Sequence, residues 1–558
     1  VTLPGGAKVC GMTDTATVGS TSYTSPAYVG IPYAKPPVGA RRWQATADST
    51  LSGTLQATAF GPVCPQAQAP NLTNQSESCL FLNVWTPSGA TSTSKLPVMV
   101  FIHGGAFVEG AGSSPLYRGT YLAASGNVVV VTLNYRLGAL GFLYTGKVAG
   151  TSINGNMGLL DQQSALRWVQ ANISAFGGDP AKVTLFGESA GAMSTGFHLF
   201  SVPTSRSLFR AAIMESNPIS STYRDVKRAT DDGAAFLKAL CDTASAGRGC
   251  PANATWLDTV STATVLAGEA KYLKGLGPLE RIISGGLPEG LPWTPVIDNV
   301  VVTGQPLNGY ASGMPAKPYV FGTNANEGTV FAAYAQDAAG GKLNSFTYGA
   351  LLSRLFGPVG KLRITMYNDG SGTHPYRAWN HPSVAGMDST ASALADLISD
   401  FAFHCGNQVG ADSAYKANNA AGLPIYSYYF QHTPLPLEMY KGVAECGPAA
   451  NQVCHAYELP YVFSTLAYAD TVNGNTVAPT STDVSLGQQM GAAWVNFATN
   501  LSAPATGWTA YQPDGQVYAW GGSNSGQMQA LPAGPACSAV WTKFPPLGKG
   551  ILSAARRR

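Results

Sequence analysis

The sequence predicts an α/β fold built on a large, mostly parallel central sheet with helical crossovers, and three observations carry that expectation. Apolar runs recur at 96–105 (LPVMVFIHGG), 127–138 (NVVVVTLNYRLG), 182–191, 211–216, 317–328 and 425–432 (IYSYYFQH), most of them ending in polar or glycine-rich turns, as strands buried on both faces do. Helical spacing separates several of these runs, most plainly in GLLDQQSALRWVQANISAF, so the strands read as joined by crossovers. Residues 183–191, VTLFGESAG, pass in one step from a strand to the turn G-x-S-x-G and on into a helix.

In chain order, residues 1–60 alternate short strand-like pieces such as AKVCGM and AYVGIPYA with turn residues, which predicts a small antiparallel N-terminal sheet. GIPYAKPPVGARRW is too rich in proline for helix. SCLFLNVWTP reads as a further strand, after which the parallel core begins. The helix over GLLDQQSALRWVQANISAF stops at Gly177-Gly178. Residues 220–315 and 330–420 read as mainly helical excursions that form a cap beside the sheet. No stretch has the composition of a linker, so residues 1–558 read as one domain. No apolar run reaches the ~20 residues that a membrane-spanning helix needs.

Composition narrows the partners. Charged residues make up 11% of the chain, against roughly 25% in an average soluble domain. The 33 basic and 30 acidic residues leave a formal charge of +3, which argues against nucleic acid as a partner. Low charge with 64 glycines points to a secreted (extracellular or periplasmic) protein whose solubility rests on neutral polar groups and N-glycans. Asn71, Asn74, Asn172, Asn253 and Asn500 head Asn-x-Ser/Thr triplets, the acceptor pattern for such glycans. The start, VTLPGG, is no signal peptide, so on this reading the leader has already been removed.

Nine cysteines with no C-x-x-C pair fit an oxidising compartment better than a metal site. Spacing does not fix their connectivity. Pairing near neighbours gives Cys64 with Cys79, Cys241 with Cys250 and Cys446 with Cys454, leaves Cys405 and Cys537 for a long bridge, and makes Cys10 odd. Nothing in the chain calls for a cofactor or a metal.

The chemistry lies at the carboxyl ends of the strands, where ligands of such sheets gather. Gly187 and Gly191 let the strand reverse tightly into a helix, which leaves the Ser189 hydroxyl at the tip. His103-Gly104-Gly105-Ala106-Phe107 follows the first core strand, Glu327 lies after KPYVFG, and His455 lies beyond the last of these strands. Serine, acid and histidine in that order match an α/β-hydrolase triad. A serine hydroxyl is a weak nucleophile near neutral pH, so an imidazole must take its proton and a carboxylate must hold that imidazole.

Each residue also has a plainer reading. His198, His374, His381, His404 and His432 read as solvated or structural, and His103 as a brace for the loop beside it. Glu327 has a rival role as a helix cap, and Asp161 is expected to order a helix start. Glu188, next to Ser189, either tunes the field of the pocket or is a buried acid with a structural partner. The Arg556-Arg557-Arg558 tail reads as a solvated end.

Seven strings, GIPYAKPPVGARRW, ESCLFLNVWTP, FIHGGAFVEG, NYRLGALGFL, GNMGLLDQQSALRWVQANISAFGGDPAKVTLFGESAGAMS, GTNANEG and HAYELPYVF, occur in the order in which the type-B carboxylesterase and lipase family carries its own. The chain therefore resembles that family, which includes cholinesterases and certain fungal lipases. The resemblance implies an α/β-hydrolase fold, Ser189 as nucleophile, Glu327 as acid and His455 as base. It also implies backbone N–H groups of Gly105, Ala106 and Ala190 as oxyanion donors. The cysteine pairs above fit the family's, apart from Cys446 with Cys454, which would tether the loop bearing His455.

In the family, the loop that corresponds to Cys64–Cys79 covers the active-site mouth. Here it is short, contains few apolar residues and has no aromatic one. Weak or absent activation at an oil surface is expected, and choline selectivity lacks its cation–π platform. GGLPEGLPWTPVID, by resemblance beside the acyl pocket, has Trp293 as its only aromatic, so an acyl group larger than acetyl is expected to fit. The expected activity is hydrolysis of soluble carboxylic esters through an acyl-enzyme. A lipase for acylglycerols and a catalytically silent adhesion protein of the same fold are the rivals.

Overall fold

The fold is that of a computed structural model of the 558-residue chain. It describes every residue outside 68–72, 148–151, 246–253, 278–279, 281–290, 370–373, 433–442, 467–470, 473–474, 477 and 542–558. Its frame is an eleven-stranded sheet. In chain order the strands are β1 (Met12–Val18), β2 (Thr21–Pro32), β3 (Phe81–Trp85), β4 (Leu96–Ile102), β5 (Val129–Leu133), β6 (Gly178–Glu188), β7 (Ala211–Glu215), β8 (Tyr319–Asn324), β9 (Ile425–Phe430), β10 (Gln516–Trp520) and β11 (Met528–Ala530). Across the sheet the order is β11-β10-β9-β8-β7-β6-β4-β5-β3-β2-β1. Every pairing from β5 to β10 is parallel, while β1, β2, β3 and β11 pair antiparallel at the two ends. The N-terminal antiparallel strands are thus one edge of the main sheet, joined to it where β3 meets β5.

Parallel neighbours need long crossovers, and helices supply them. The principal ones are α1 (Met157–Asn172), α2 (Ala190–Phe200), α3 (Val226–Ala244), α4 (Thr262–Lys274), α5 (Gly328–Ala338), α6 (Ser345–Met366), α7 (Ser389–Ile398), α8 (Cys405–Asn419) and α9 (Ser481–Asn500). Helices α3 and α4 lie within 220–315 and α6, α7 and α8 within 330–420, while α5 starts two residues ahead of the second range, at Gly328. No helix among the described residues is long and apolar enough to cross a membrane.

Both faces of the sheet are covered, which is why its strands are continuous apolar runs instead of alternating ones. Along β4, Val98, Val100 and Ile102 belong to the core on one face, and Met99 and Phe101 to the core on the other. That alternation is the two-residue period of a strand. Strand register then sets the site. Ile102 pairs with Gly187, Glu188 with Glu215, and Glu215 with Gly322, two residues before the end of β8. The carboxyl ends of β4, β6, β7 and β8 therefore finish along one rim.

Candidate active site

Ser189 sits between β6 and α2 with φ 54° and ψ −120°, a conformation that is costly for a residue with a Cβ and that persists only where its surroundings enforce it. The enforcement is visible. The Ser189 N–H donates to the Glu215 carbonyl at 3.0 Å, and the Ser189 carbonyl accepts from the Met193 N–H at 2.8 Å. A Cβ on Gly187 would lie 2.6 Å from the Gly191 carbonyl carbon, and one on Gly191 would run into the Ile102 carbonyl oxygen. Both glycines of the turn are thus required by close approach of backbone to backbone.

Facing Ser189 is the turn after β4. Gly105 has φ 99°, and Ala106 and Phe107 follow at 54° and 64°. The turn is closed by the Val108 and Glu109 N–H groups on the Gly105 carbonyl, at 2.9 and 3.0 Å. Among the described residues, no acceptor takes up the N–H groups of Gly105 or Ala106, and the Ala190 N–H belongs to the unpaired first turn of α2. Gly104 fits tightly here: a Cβ on it would lie 2.5 Å from Glu188 Oε2 and 3.1 Å from Ser189 Cβ. His103 braces the turn from behind. Its ring stacks on Tyr135 at 4.4 Å, its Nδ1 contacts the Gly104 carbonyl at 2.8 Å, and burial drives its pKa down to about 4.

Glu327 and His455 come from two loops that are zipped together. Asn326 N–H donates to the Val453 carbonyl and Val453 N–H to Asn326 Oδ1, both at 3.0 Å. Glu327 is fully buried at the start of α5 and makes no side-chain capping bond to that helix. Its Oε1 accepts from the Asn324 N–H at 2.7 Å, and its Oε2 lies 2.6 Å from His455 Nδ1. The rings of Phe331 and Phe403 flank the imidazole, each at 5.1 Å. His455 Nε2 lies 3.0 Å from Glu188 Oε1. The structure thus brings His455, Glu327 and Glu188 into direct contact, while no hydrogen bond joins Ser189 Oγ to the imidazole. Such catalytic contacts are often long before substrate binds.

The residues that match a known family are numbers 1–537, and the matching description is the carboxylesterase family. The para-nitrobenzyl esterase of Bacillus subtilis (strain 168) is 35% identical over 499 residues, 87% of this chain and 88% of that protein. The fumonisin B1 esterase of Sphingopyxis macrogoltabida is 31% identical over 527 residues, 91% and 85% of the two chains. A solved structure of a PNB esterase superposes with a TM-score of 0.72 at 31% identity, covering 94% of this chain and 99% of that one. The chain belongs to the carboxylesterase family. It has the α/β-hydrolase fold and is a carboxylic-ester hydrolase.

Behind the esterase's imidazole lies a group of buried acids. Burial, and the neighbouring Glu458 and Glu327, push Glu188 up to about 8 despite the opposing pull of His455. His455 loses by burial, but Glu188 and Glu327 more than compensate and raise it to about 9. A carboxylate faces each nitrogen of the imidazole and so favours its charged form. Glu458 accepts from Ser216 Oγ at 3.1 Å and from Asn324 Nδ2, and burial next to Glu327 pushes it up to about 7. Glu215 takes the Trp494 indole N–H, and burial holds its carboxyl well above the usual range. Asn324, Ser216, Glu215 and Glu458 were not singled out in the sequence. Asn324 stands inside the GTNANEG string, Glu458 inside HAYELPYVF, and Glu215 and Ser216 end the apolar run 211–216.

Trp293 is no part of this cluster, which corrects the expectation that it lines the pocket. Its fully buried ring packs on Phe236 of α3 at 5.2 Å and Tyr272 of α4 at 5.6 Å, with the Arg224 guanidinium 5.9 Å from its centre. It holds the two helices together because a large apolar ring is most stable out of water. Residues 285–290 of that stretch lie outside the described residues. Asp161 does not order a helix start. It lies one turn inside α1 and clasps the buried Arg136 at 2.8 Å through both carboxylate oxygens.

Cys64–Cys79, Cys405–Cys537 and Cys446–Cys454 are bonded, and Cys10 is free and exposed. Cys241 is disulfide-bonded, and Cys250 lies outside the described residues. His198 is fully buried against Gln162 Oε1 at 3.0 Å, and burial lowers it to about 3. His404 is buried too, with its ring nitrogens on the Asn324 carbonyl and Asp400, so of the solvated and structural readings it takes the structural one.

Proposed function

We propose that this carboxylesterase cleaves soluble esters through an acyl-enzyme, with Ser189 as nucleophile, His455 as general base and acid, and Glu327 as the carboxylate that orients it. The observation that carries the reading is the 2.6 Å contact between His455 Nδ1 and a fully buried Glu327, on the rim where the Ser189 elbow ends. Glu327 fixes the proton on Nδ1 and leaves Nε2 to exchange its contact with Glu188 for one with Ser189 Oγ. Attack on the ester carbonyl passes the Ser189 proton to Nε2. The oxyanion then forms against the N–H groups of Gly105, Ala106 and Ala190, whose positions are set before reaction. His455 returns the proton to the leaving alcohol, and a water, deprotonated by the same nitrogen, releases the acid.

The preference for dissolved esters rests on the loop between Cys64 and Cys79. Gln66 clamps its near end to the oxyanion turn, receiving the Gly110 N–H at 2.9 Å and donating to the Gly110 carbonyl at 3.1 Å. Arg42 grips its far end through two bonds to Glu77 at 2.6 and 2.7 Å. A loop held at both ends is poorly built to swing open on an oil surface. Three disulfides among the described residues fit a secreted protein. Asn74 and Asn500 are exposed, as glycan attachment requires, while Asn172 is half-buried; the amides of Asn500 and Asn172 donate to Asn496 Oδ1 and to the Trp168 carbonyl. Asn71 and Asn253 lie outside the described residues.

A fluorophosphonate should label the Ser189 peptide of the native protein and leave Ser189→Ala unlabelled. No label on the native protein would favour the silent binding role. Comparing short soluble esters with emulsified triacylglycerol tests the substrate form, and a rate jump above the solubility limit would support the lipase reading.

A further inference from the structure

The α7 helix runs into a π-helical turn, Ser399–His404, before α8 begins. Such turns widen the helix by one residue and often mark functional sites. This one aims His404 at the site from behind. The ring is buried, with Nε2 2.9 Å from the Asn324 carbonyl oxygen and Nδ1 2.9 Å from Asp400 Oδ1. A carbonyl only accepts, so Nε2 carries a proton. Asp400 Oδ2 accepts the Tyr376 hydroxyl at 2.6 Å, which leaves Oδ1 facing Nδ1. An oxygen thus faces each ring nitrogen, which favours the doubly protonated imidazolium at His404.

Asn324 is the hub it holds. The Asn324 N–H donates to Glu327 Oε1 at 2.7 Å, and its side-chain amide donates to the Cys454 carbonyl at 3.0 Å and to Glu458. One residue thus fixes the proposed acid and the backbone immediately before the proposed base. We propose that His404, clamped by Asp400, is a positioning residue for the Glu327–His455 pair, acting through Asn324, and that its fixed positive charge offsets the carboxylates around His455. The proposal rests on the reading of Ser189, His455 and Glu327 given above.

The charges around His404 are consistent with that role. Asp400 faces it from its own turn, Asp396 from α7, and Glu327 from the loop after β8. The Asp396 carboxylate is engaged by His381 at 2.9 Å. The Tyr429 ring of β9 stands 5.5 Å away. Tyr428 and Tyr511 line the small cavity beside it, and the Tyr511 hydroxyl donates to Asp412. Burial alone would lower the His404 pKa, but Asp400, the Asn324 carbonyl and Glu327 together raise it. The sign of its effect follows: a cation behind Glu327 disfavours a second cation at His455, so removing it should move the acid limb of activity to higher pH.

The test uses the full chain with His404→Leu, which removes both contacts and the charge, and His404→Gln, whose amide can still donate to the Asn324 carbonyl. Fluorophosphonate titration first counts active sites. If the native protein does not react, the reading of Ser189 fails, independently of this proposal. Per titrated site, His404→Leu should lose about ten-fold or more in kcat on a short soluble ester, through misplacement of the reacting groups. KM should change little. His404→Gln should recover most of kcat yet keep an acid limb displaced upward by roughly half a pH unit, the charge effect alone. Native kcat per site and a native acid limb in both variants would overturn the proposal, even if both melt earlier. If His404→Leu does not fold, an unshifted acid limb in His404→Gln overturns it.

Discussion

His455 Nε2 lies 3.0 Å from Glu188 Oε1, so the nitrogen that accepts the serine proton in the proposed mechanism faces a carboxylate supplied by the residue next to that serine. A second carboxylate, Glu327, holds the other nitrogen at 2.6 Å. This double contact raises the imidazole to about 9 against the loss from burial. A base must be neutral to act, so activity on a soluble ester should fall as pH drops through a midpoint above the ordinary histidine value of about 6.5. Glu188→Gln keeps the shape and removes one negative charge. Its kcat/KM acid limb should move to lower pH, because the imidazolium loses a partner. A profile that stays in place, or moves upward, would count against this account of Glu188.

Glu327 bears on kcat more than on binding. Replacing it by Gln keeps a group beside His455 Nδ1 but allows the imidazole to turn over to its other tautomer. Loss of the orienting carboxylate in this kind of triad costs about 10⁴-fold in turnover. Glu327→Gln should show a loss of that order in kcat with KM within a few-fold of native, and fluorophosphonate labelling of Ser189 should slow in parallel. Labelling at the native rate would mean that the acid lies elsewhere.

Gly105 tests the proposed oxyanion turn. A Cβ there would collide with the Glu109 carbonyl oxygen and come within 3.1 Å of the Glu109 Cγ, and the backbone φ of 99° disfavours any side chain. Gly105→Ala should therefore tilt the turn and misdirect the Gly105 and Ala106 N–H groups. One lost oxyanion donor is worth about 3 kcal/mol, on the order of 10²-fold in kcat. Steady-state kinetics should place the loss in kcat, and a loss confined to KM would contradict the assignment.

The parts of the fold that are legible in the sequence are those whose signal is local. The central strands are dense apolar runs because both faces of the sheet are covered, and the elbow at 187–191 needs its glycines because backbone meets backbone there. Strands β10 and β11 are not legible in the sequence, since they lie at an edge that pairing with β9, not their own pattern, defines. The same distinction separates the site residues. Ser189 is marked by its immediate neighbours, whereas Asn324 and His404 matter because of what they touch 130 and 80 residues away. Trp293 was placed beside the pocket through its neighbours in sequence, yet packing between α3 and α4 decides where its ring goes.

Arg136 and Asp161 offer a test of stability apart from chemistry. Both side chains are buried, and they meet through two bonds of 2.8 Å, with Asp161 also receiving the Arg136 N–H at 3.0 Å and the Thr46 hydroxyl. The guanidinium further donates to the carbonyls of Arg42 and Gln44, so the pair ties α1 to the segment that leads to the Cys64–Cys79 loop. Asp161→Ala strands the arginine's charge in the interior. Breaking one side of a buried pair costs about 3–5 kcal/mol, chiefly from the charge left behind and not from the pair itself. The denaturant midpoint should drop accordingly. Adding Arg136→Met to Asp161→Leu removes both charges and should recover much of the loss, because an apolar pair of similar volume avoids the desolvation that the ions incur. A double variant no more stable than Asp161→Ala would show that the bonds to Arg42 and Gln44, and not charge pairing, hold this corner.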